Sequence, residues 1–206
     1  MRITPLFVIL ISFLSSHSQI IINDSISGKF IDSAFIKFKL KDYRSALYYS
    51  NKAIEKNPNE FACYYFRGYI KDQMQDYIGA ISDYNKAIAL NPQSEDAYYN
   101  RGDTKQALFD YRGAIVDYTK AIELFPQSYG AHVQRGCAKM AIKDFQGAII
   151  DFSKAIEYHP DGASAYFNRG LSKLRLGLKN SGCLDLSKAG ELGLTDAYEM
   201  IRKSCN

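Results

Sequence analysis

The chain has 206 residues, of which 47% are hydrophobic and 23% are charged, and its formal net charge is +4. These fractions are typical of a folded soluble protein. The basic residues are interspersed, which argues against a nucleic-acid-binding protein, because such proteins usually concentrate lysine and arginine on one face.

The N-terminal 18 residues differ from the rest of the chain. A short basic start, Met1-Arg2, precedes an apolar run from Leu6 to Leu14, and Ser15-Ser16-His17-Ser18 follows. This layout is typical of a secretory signal peptide that is cleaved before Gln19. The alternative is a membrane anchor, but the run is shorter than the about 20 apolar residues that span a bilayer. We therefore predict a signal peptide at 1–18, export to the periplasm or beyond the cell, and no stable membrane insertion after cleavage.

Small residues recur every 34 positions along the remainder of the chain. The glycines of this series are Gly68, Gly102, Gly136 and Gly170, and several alanines and prolines keep the same step. A period of this length indicates an array of supersecondary units rather than one globular core. After an N-terminal segment at 19–26, the predicted units are 27–60, 61–94, 95–128, 129–162 and 163–196, with a capping helix and C-terminus at 195–206.

Each unit carries two helical patterns, as the unit 95–128 illustrates. Apolar residues occur at helical spacing on both sides of a break at Asp110, and Pro126 ends the second helix. An aspartate before the second helix can cap its free backbone N–H groups. Small residues at a helix crossing allow close approach, so we expect Gly102 and Ala114 to lie where the two helices meet.

The unit resembles a known repeat. Tyr98, which precedes an Arg-Gly pair, and then Ala114, Tyr118, Ala121 and Pro126 give a pattern similar to the tetratricopeptide repeat (TPR). The resemblance implies an all-α fold, an α-solenoid in the form of a right-handed superhelix, with five helix-turn-helix units and a C-terminal capping helix. The first and fifth units diverge from the pattern, as terminal units of solenoids often do.

An arginine and an aspartate recur together, 16 residues apart, in four of the five units. The first unit has Ser33 and Tyr49 instead. Joint presence and joint absence predict that the two side chains touch across the helix pair, as structural ion pairs. A basic ladder for acidic ligands is the alternative. The pairs are Arg67 with Asp83, Arg101 with Asp117, Arg135 with Asp151, and Arg169 with Asp185.

Two of the four cysteines are placed to form a disulfide. Cys183 and Cys205 are equidistant from the turn near Leu194, so they would face each other on two antiparallel helices. An exported chain meets an oxidising compartment, which favours a Cys183–Cys205 disulfide. Two free thiols are the alternative. The cysteines are not clustered like metal ligands, and we predict no metal and no cofactor.

Motifs of catalysis are missing from the sequence. It has no G-x-S-x-G elbow, no H-E-x-x-H helix and no phosphate-binding glycine loop. After removal of a signal peptide only His132 and His159 remain, and His132 occupies the place of a packing aromatic in the other units. We predict no catalytic residue and no enzymatic activity.

The TPR resemblance also implies a partner-binding surface, because the first helices of such units line a concave groove. The lysine, asparagine and arginine with which co-chaperone members grip a C-terminal carboxylate are absent from these positions. A tyrosine-rich groove suits an extended peptide or an amphipathic helix. The predicted binding residues are Tyr65, Tyr69, Tyr99, Asp103, Val133 and Phe167, and the same positions include Met140, Leu171 and Leu174.

The predicted function is therefore a protein–protein interaction scaffold whose partner is a protein or peptide and not a nucleic acid. One alternative is that part of this face is internal packing, covered by 19–26 or by the capping helix. Another is an envelope glycan-binding or enzyme-accessory module, since tyrosine faces can stack on sugar rings.

Overall fold

The computed structural model describes residues 25–205. The predicted signal peptide at 1–18 and most of the segment 19–26 lie outside the described residues. The part of the chain that the structure describes contains eleven α-helices and no strand. None of the helices within 25–205 is long and apolar enough to cross a membrane.

The helices pair in chain order into hairpins, and the described chain divides into two compact units. Unit 1 ends at Pro92 and contains α1–α4, and unit 2 begins at Gln93 and contains α5–α11. The helices are α1 Ile26–Lys39, α2 Tyr43–Lys56, α3 Phe61–Gln73, α4 Tyr77–Leu90, α5 Glu95–Ala107, α6 Tyr111–Leu124, α7 Tyr129–Ala141, α8 Phe145–Tyr158, α9 Ala163–Arg175, α10 Lys179–Glu191 and α11 Asp196–Ser204.

Within each unit, successive hairpins pack side by side. In unit 1, α2 packs on α3, and in unit 2, α6 packs on α7 and α8 packs on α9. The helix α11 packs on α10, as a capping helix would. Each hairpin has only two short helices, so it depends on its neighbours to bury its apolar faces.

The second helix of most hairpins begins at an aspartate. The carboxylates of Asp76, Asp110 and Asp144 accept the backbone N–H of the glycine three residues on, at 2.9–3.0 Å, and Asp42 accepts that of Ser45. Such a bond satisfies one of the free N–H groups at a helix start. The helix α10 differs, because its N-cap is Leu178 and no side chain caps it.

The recurring glycine makes room for a ring of the facing helix. A Cβ atom added to Gly102 would stand 2.7 Å from Cε1 of Tyr118, which is closer than packed carbon atoms come. Ala114 is fully buried and packs with Tyr118 and Ala138. The close crossing of α5 and α6 therefore depends on the absence of a side chain beneath the Tyr118 ring.

A disulfide crosslinks the C-terminal end of unit 2. Cys183 on α10 and Cys205, which follows α11, form a disulfide with their Cα atoms 5.9 Å apart. The other two cysteines, Cys63 and Cys137, are free thiols. Burial raises the pKa of Cys63 to about 12 and that of Cys137 to about 11, so neither is a reactive thiolate at neutral pH.

Candidate functional site

The recurring aspartates are buried and each lies between two cations. Asp117 is 1% exposed, and its carboxylate lies 2.5 Å from Nη2 of Arg101 and 2.7 Å from Nζ of Lys105. The same arrangement surrounds the other three aspartates, at 2.6–2.8 Å. The predicted arginine partners meet their aspartates in every case. The second cations are Lys71, Lys105, Lys139 and Lys173.

Sequence reasoning missed these lysines although the signal was present. Each lysine follows its arginine by four residues, which is one helical turn, and the spacing repeats with the 34-residue period. An arginine and a lysine on one face of a helix, opposite a single aspartate, would have predicted the three-membered cluster.

The arginines also connect neighbouring hairpins. Nη1 of Arg135 donates to Oγ1 of Thr119 at 3.1 Å, and Nη1 of Arg169 donates to Oγ of Ser153 at 3.1 Å. In unit 1, Nη1 of Arg67 donates to Oδ1 of Asn51 at 2.8 Å. Each acceptor lies on the second helix of the preceding hairpin. These contacts favour the structural interpretation of the arginines over a ladder for acidic ligands, because the guanidinium groups are already engaged.

Asp151 shows how the cluster keeps a buried carboxylate charged. Burial acts to raise the pKa of Asp151, but His132, Arg135 and Lys139 around the carboxylate together lower it to about 2. His132 stands where the other hairpins have an aromatic ring, such as Tyr98, whose face lies 5.5 Å from the Arg101 guanidinium. His132 therefore packs beside the ion pair of Arg135 and Asp151. The residues that the structure describes contain no cluster suited to a metal ion.

The first helices of unit 2 lie side by side and form one face, which we call the unit 2 face. It contains four of the predicted binding residues, and each is partly exposed. Gln134 on α7 donates to Oδ1 of Asp103 on α5 at 3.1 Å, and Asn168 on α9 lies 3.8 Å from Sγ of Cys137. The predicted residues on this face are Tyr99, Asp103, Val133 and Phe167.

Two of these residues have structural contacts that the sequence did not reveal. The hydroxyl of Tyr118 donates to Oδ1 of Asp103 at 2.6 Å, and the ring of Tyr99 lies 5.8 Å from that of Tyr118. Burial, and then the nearby Asp103 carboxylate, raises the pKa of both tyrosines. Asp103 is therefore fixed in place, whereas Val133 and Phe167 offer apolar surface on the same face.

Unit 1 carries the other two predicted binding residues. The ring of Tyr65 stacks on Phe61 with a centroid distance of 5.4 Å, and Tyr69 lies 5.3 Å from Phe38. Tyr69 packs against a core that contains Phe66 and Ile31, and burial raises its pKa. Both tyrosines remain partly exposed, so internal packing accounts for part of this face.

A cavity of about 490 Å³ lies at the C-terminal end of unit 2. Its lining includes three positions that the repeat pattern pointed to, Met140, Leu171 and Leu174. The other lining residues come from the end of α9, the start of α10 and α11, and the 34-residue period alone does not predict that they lie at this cavity. Those residues are Arg175, Lys179, Met200 and Ser204.

Comparison with protein families identifies the repeat. A profile described as TPR repeat matches residues 68–108, and profiles described as tetratricopeptide repeat match residues 95–128 and 133–179. Together these matches cover more than half of the chain. This chain is a tetratricopeptide-repeat protein. TPR proteins act as interaction scaffolds that bind proteins or peptides, and the fold is typically non-enzymatic.

Solved structures of other TPR proteins share the fold. YrrB, described as a TPR protein with an unusual peptide-binding site, is 21% identical over 84% of this chain and 90% of its own, with a TM-score of 0.74. MamA from Desulfovibrio magneticus RS-1 is 18% identical over 83% of this chain and 96% of its own, with a TM-score of 0.77. PilF of Pseudomonas aeruginosa is 15% identical over 81% of this chain and 76% of its own, with a TM-score of 0.72.

No curated protein matches the sequence. At these identities the likeness to solved structures concerns the fold. The predicted fold class, an all-α TPR solenoid, is confirmed.

Proposed function

We propose that this TPR protein is an exported, non-enzymatic scaffold that binds a peptide or a helix of a partner protein on the exposed faces of its first helices. The observation that carries the proposal is the division of roles within unit 2. Arg101, Lys105 and Asp117 are engaged in holding the hairpin together, while Val133 and Phe167 stay partly exposed on the unit 2 face.

A protein partner fits the chemistry of this face. Its side chains combine apolar area with a fixed acceptor, the Asp103 carboxylate, and tyrosine rings provide contact area at low cost in conformational entropy. The structure of YrrB is described as having a peptide-binding site, and the shared fold makes a similar use of this chain reasonable.

Export is supported by the sequence of 1–18 and by the Cys183–Cys205 bond, because disulfides persist mainly in oxidising compartments. N-terminal sequencing of the protein purified from its native cell tests this part of the proposal. A chain that starts at Gln19 supports export with cleavage. A chain that starts at Met1 would show that the segment is retained.

Site-directed crosslinking tests binding to the unit 2 face. A photoreactive residue placed at Phe167 should yield partner adducts in the native cell, and Val133→Asp should remove them because it puts a charge on an apolar contact surface. The matched control is Val116→Asp on α6, where the valine is 66% exposed and lies outside the predicted binding positions.

Equal loss of adducts in both variants would point to misfolding, which circular dichroism detects. Adducts that survive Val133→Asp in a folded protein would contradict binding at this face. A glycan array that binds the wild-type protein, with no protein adducts, would favour the glycan-binding alternative instead.

A further inference from the structure

The cavity at the end of unit 2 combines an apolar lining with positive charge at its edge. Met140, Leu171, Leu174 and Met200 come from three helices and are all partly buried. Methionine is flexible and polarisable, so a cavity with two methionines adapts to apolar groups of different shape. The volume of about 490 Å³ is within the range of binding cavities in proteins.

The charged residues that line the cavity are both cationic. Arg175 and Lys179 are exposed, and the lining includes no carboxylate. On the same helix, Arg169 and Lys173 are held by Asp185 at 2.7 and 2.8 Å. Among the described residues, no carboxylate forms an ion pair with Arg175. Its charge is thus available to a ligand at the cavity edge.

We propose that this cavity takes a bulky apolar side chain of a partner peptide whose neighbouring residues are acidic. The inference rests on the proposed function and specifies the chemistry of the partner. The apolar side chain would occupy the space among Leu171, Leu174 and Met200, and the acidic residues would lie beside Arg175. The start of α10, which no side chain caps, adds to the positive potential at the same place.

A peptide fits this cavity better than a small acidic lipid because the cavity continues the unit 2 face. Met140 follows Val133 by seven residues on α7, and Leu174 follows Phe167 by seven residues on α9. Seven residues are two helical turns, or about 10 Å along one side of a helix. An extended peptide bound across Val133 and Phe167 reaches the cavity within about three or four of its own residues.

The disulfide connects two walls of the cavity. Cys205 follows the lining residue Ser204, and Cys183 lies one helical turn after the lining residue Lys179. The bond therefore fixes α11 against α10 before any ligand arrives. A site whose walls are held in place loses less conformational entropy on binding, so we expect tighter binding in the oxidised protein.

Selection of peptides by the full chain tests the inference. A random peptide library displayed on phage is selected against the wild-type protein, and the most enriched peptide is synthesised with a fluorescent label for anisotropy measurements. We expect enriched sequences to combine leucine, methionine or phenylalanine with aspartate or glutamate. Arg175→Glu should weaken binding by about tenfold or more, because it places a like charge beside the acidic residues.

Two further variants separate the cavity from general effects of charge and folding. Arg112→Glu changes an exposed arginine on α6 and should leave the affinity unchanged. Cys183→Ser with Cys205→Ser should weaken binding several-fold while circular dichroism still shows a helical protein.

The failure of this inference differs from the failure of the proposed function. Peptides that bind Arg175→Glu as well as wild type but are lost in Val133→Asp would overturn the cavity and leave the scaffold function in place. If the wild-type chain enriches no peptide, the proposed function itself fails. Thermal stabilisation by sodium oleate that depends on Arg175, without any peptide binding, would assign the cavity to an acidic lipid and overturn the inference.

Discussion

Two hairpins of unit 1 reach the same backbone arrangement by different chemistry. In the α3/α4 hairpin, Arg67 and Lys71 enclose the buried Asp83. In the α1/α2 hairpin the position of Asp83 is taken by Tyr49, whose ring stacks on Phe30 at 6.5 Å. The comparison teaches that the hairpin does not require an ion pair. Where the pair is present, however, each buried charge depends on the others, because an uncompensated charge is costly in a protein interior.

The largest effect is expected from removing one buried aspartate. Asp117→Ala leaves Arg101 and Lys105 without their carboxylate, and we expect the free energy of unfolding to fall by about 3 kcal/mol or more. Lys120→Ala breaks only the exposed pair of Lys120 with Glu123 at 3.0 Å and should cost about 0.5 kcal/mol or less. Urea denaturation of both variants measures the difference, and equal losses would contradict a structural role for the buried cluster.

A transplant of the first hairpin's residues sharpens the test. Arg101→Ser combined with Asp117→Tyr gives the α5/α6 hairpin the residues found at Ser33 and Tyr49. We expect this double variant to be more stable than Asp117→Ala alone, because it also removes Arg101, one of the two cations that Asp117→Ala leaves without their carboxylate. A double variant less stable than Asp117→Ala would show that the later hairpins cannot use the apolar arrangement.

The disulfide gives the next largest effect. It closes a loop of 22 residues at the end of unit 2, and Cys183→Ser with Cys205→Ser should lower the free energy of unfolding by about 3 kcal/mol in the chain-entropy model. Reduction of the wild-type protein should cost the same amount, and reduction of the double variant should cost nothing. Alkylation of the denatured protein should count two free thiols before reduction and four after it. Four free thiols before reduction would show that the bond is absent.

Substitution of Gly102, beneath the Tyr118 ring, by alanine should have a smaller effect on stability. The first hairpin allows the reverse substitution, of alanine by glycine. Gly102→Ala places a Cβ 2.7 Å from Tyr118, and we expect a net loss of about 1–2 kcal/mol although alanine favours helix. The first hairpin already has Ala34 at this position, fully buried. Ala34→Gly should cost about 1 kcal/mol through backbone entropy. Stabilisation by Gly102→Ala in thermal unfolding would show that the ring moves aside at little cost.

Much of this fold could be predicted because the repeat encodes it. The period placed the helix pairs, the aspartate caps and the partners Arg101 and Asp117, since each of these is a local feature repeated in phase. The hydrogen bond from Tyr118 to Asp103 could not be predicted, because a phenylalanine replaces that tyrosine in the next hairpin and no periodic signal remains. The cavity was equally hidden, since its wall at Met200 belongs to α11, which lies outside the repeat.

The last prediction concerns the pH dependence of stability, through a hydrogen bond that unit 1 and unit 2 both contain with exchanged partners. In unit 1, Ser27 donates to Oε2 of Glu60 at 2.7 Å, and in unit 2, Ser128 donates to Oε1 of Glu95 at 3.0 Å. Burial, and then the negative charge of Asp96, raises the pKa of Glu95 to about 7. The folded chain therefore holds a proton that the unfolded chain releases near its ordinary value of 4.5. The stabilisation that comes from this extra proton is complete below about pH 4.5 and is lost as the pH rises to about 7.

Glu95→Gln should flatten the dependence of the free energy of unfolding on pH in this interval and raise stability at pH 8. Glu123→Gln, at an exposed position on α6, should leave the profile unchanged. A profile that keeps its slope in Glu95→Gln would assign the titration to another group.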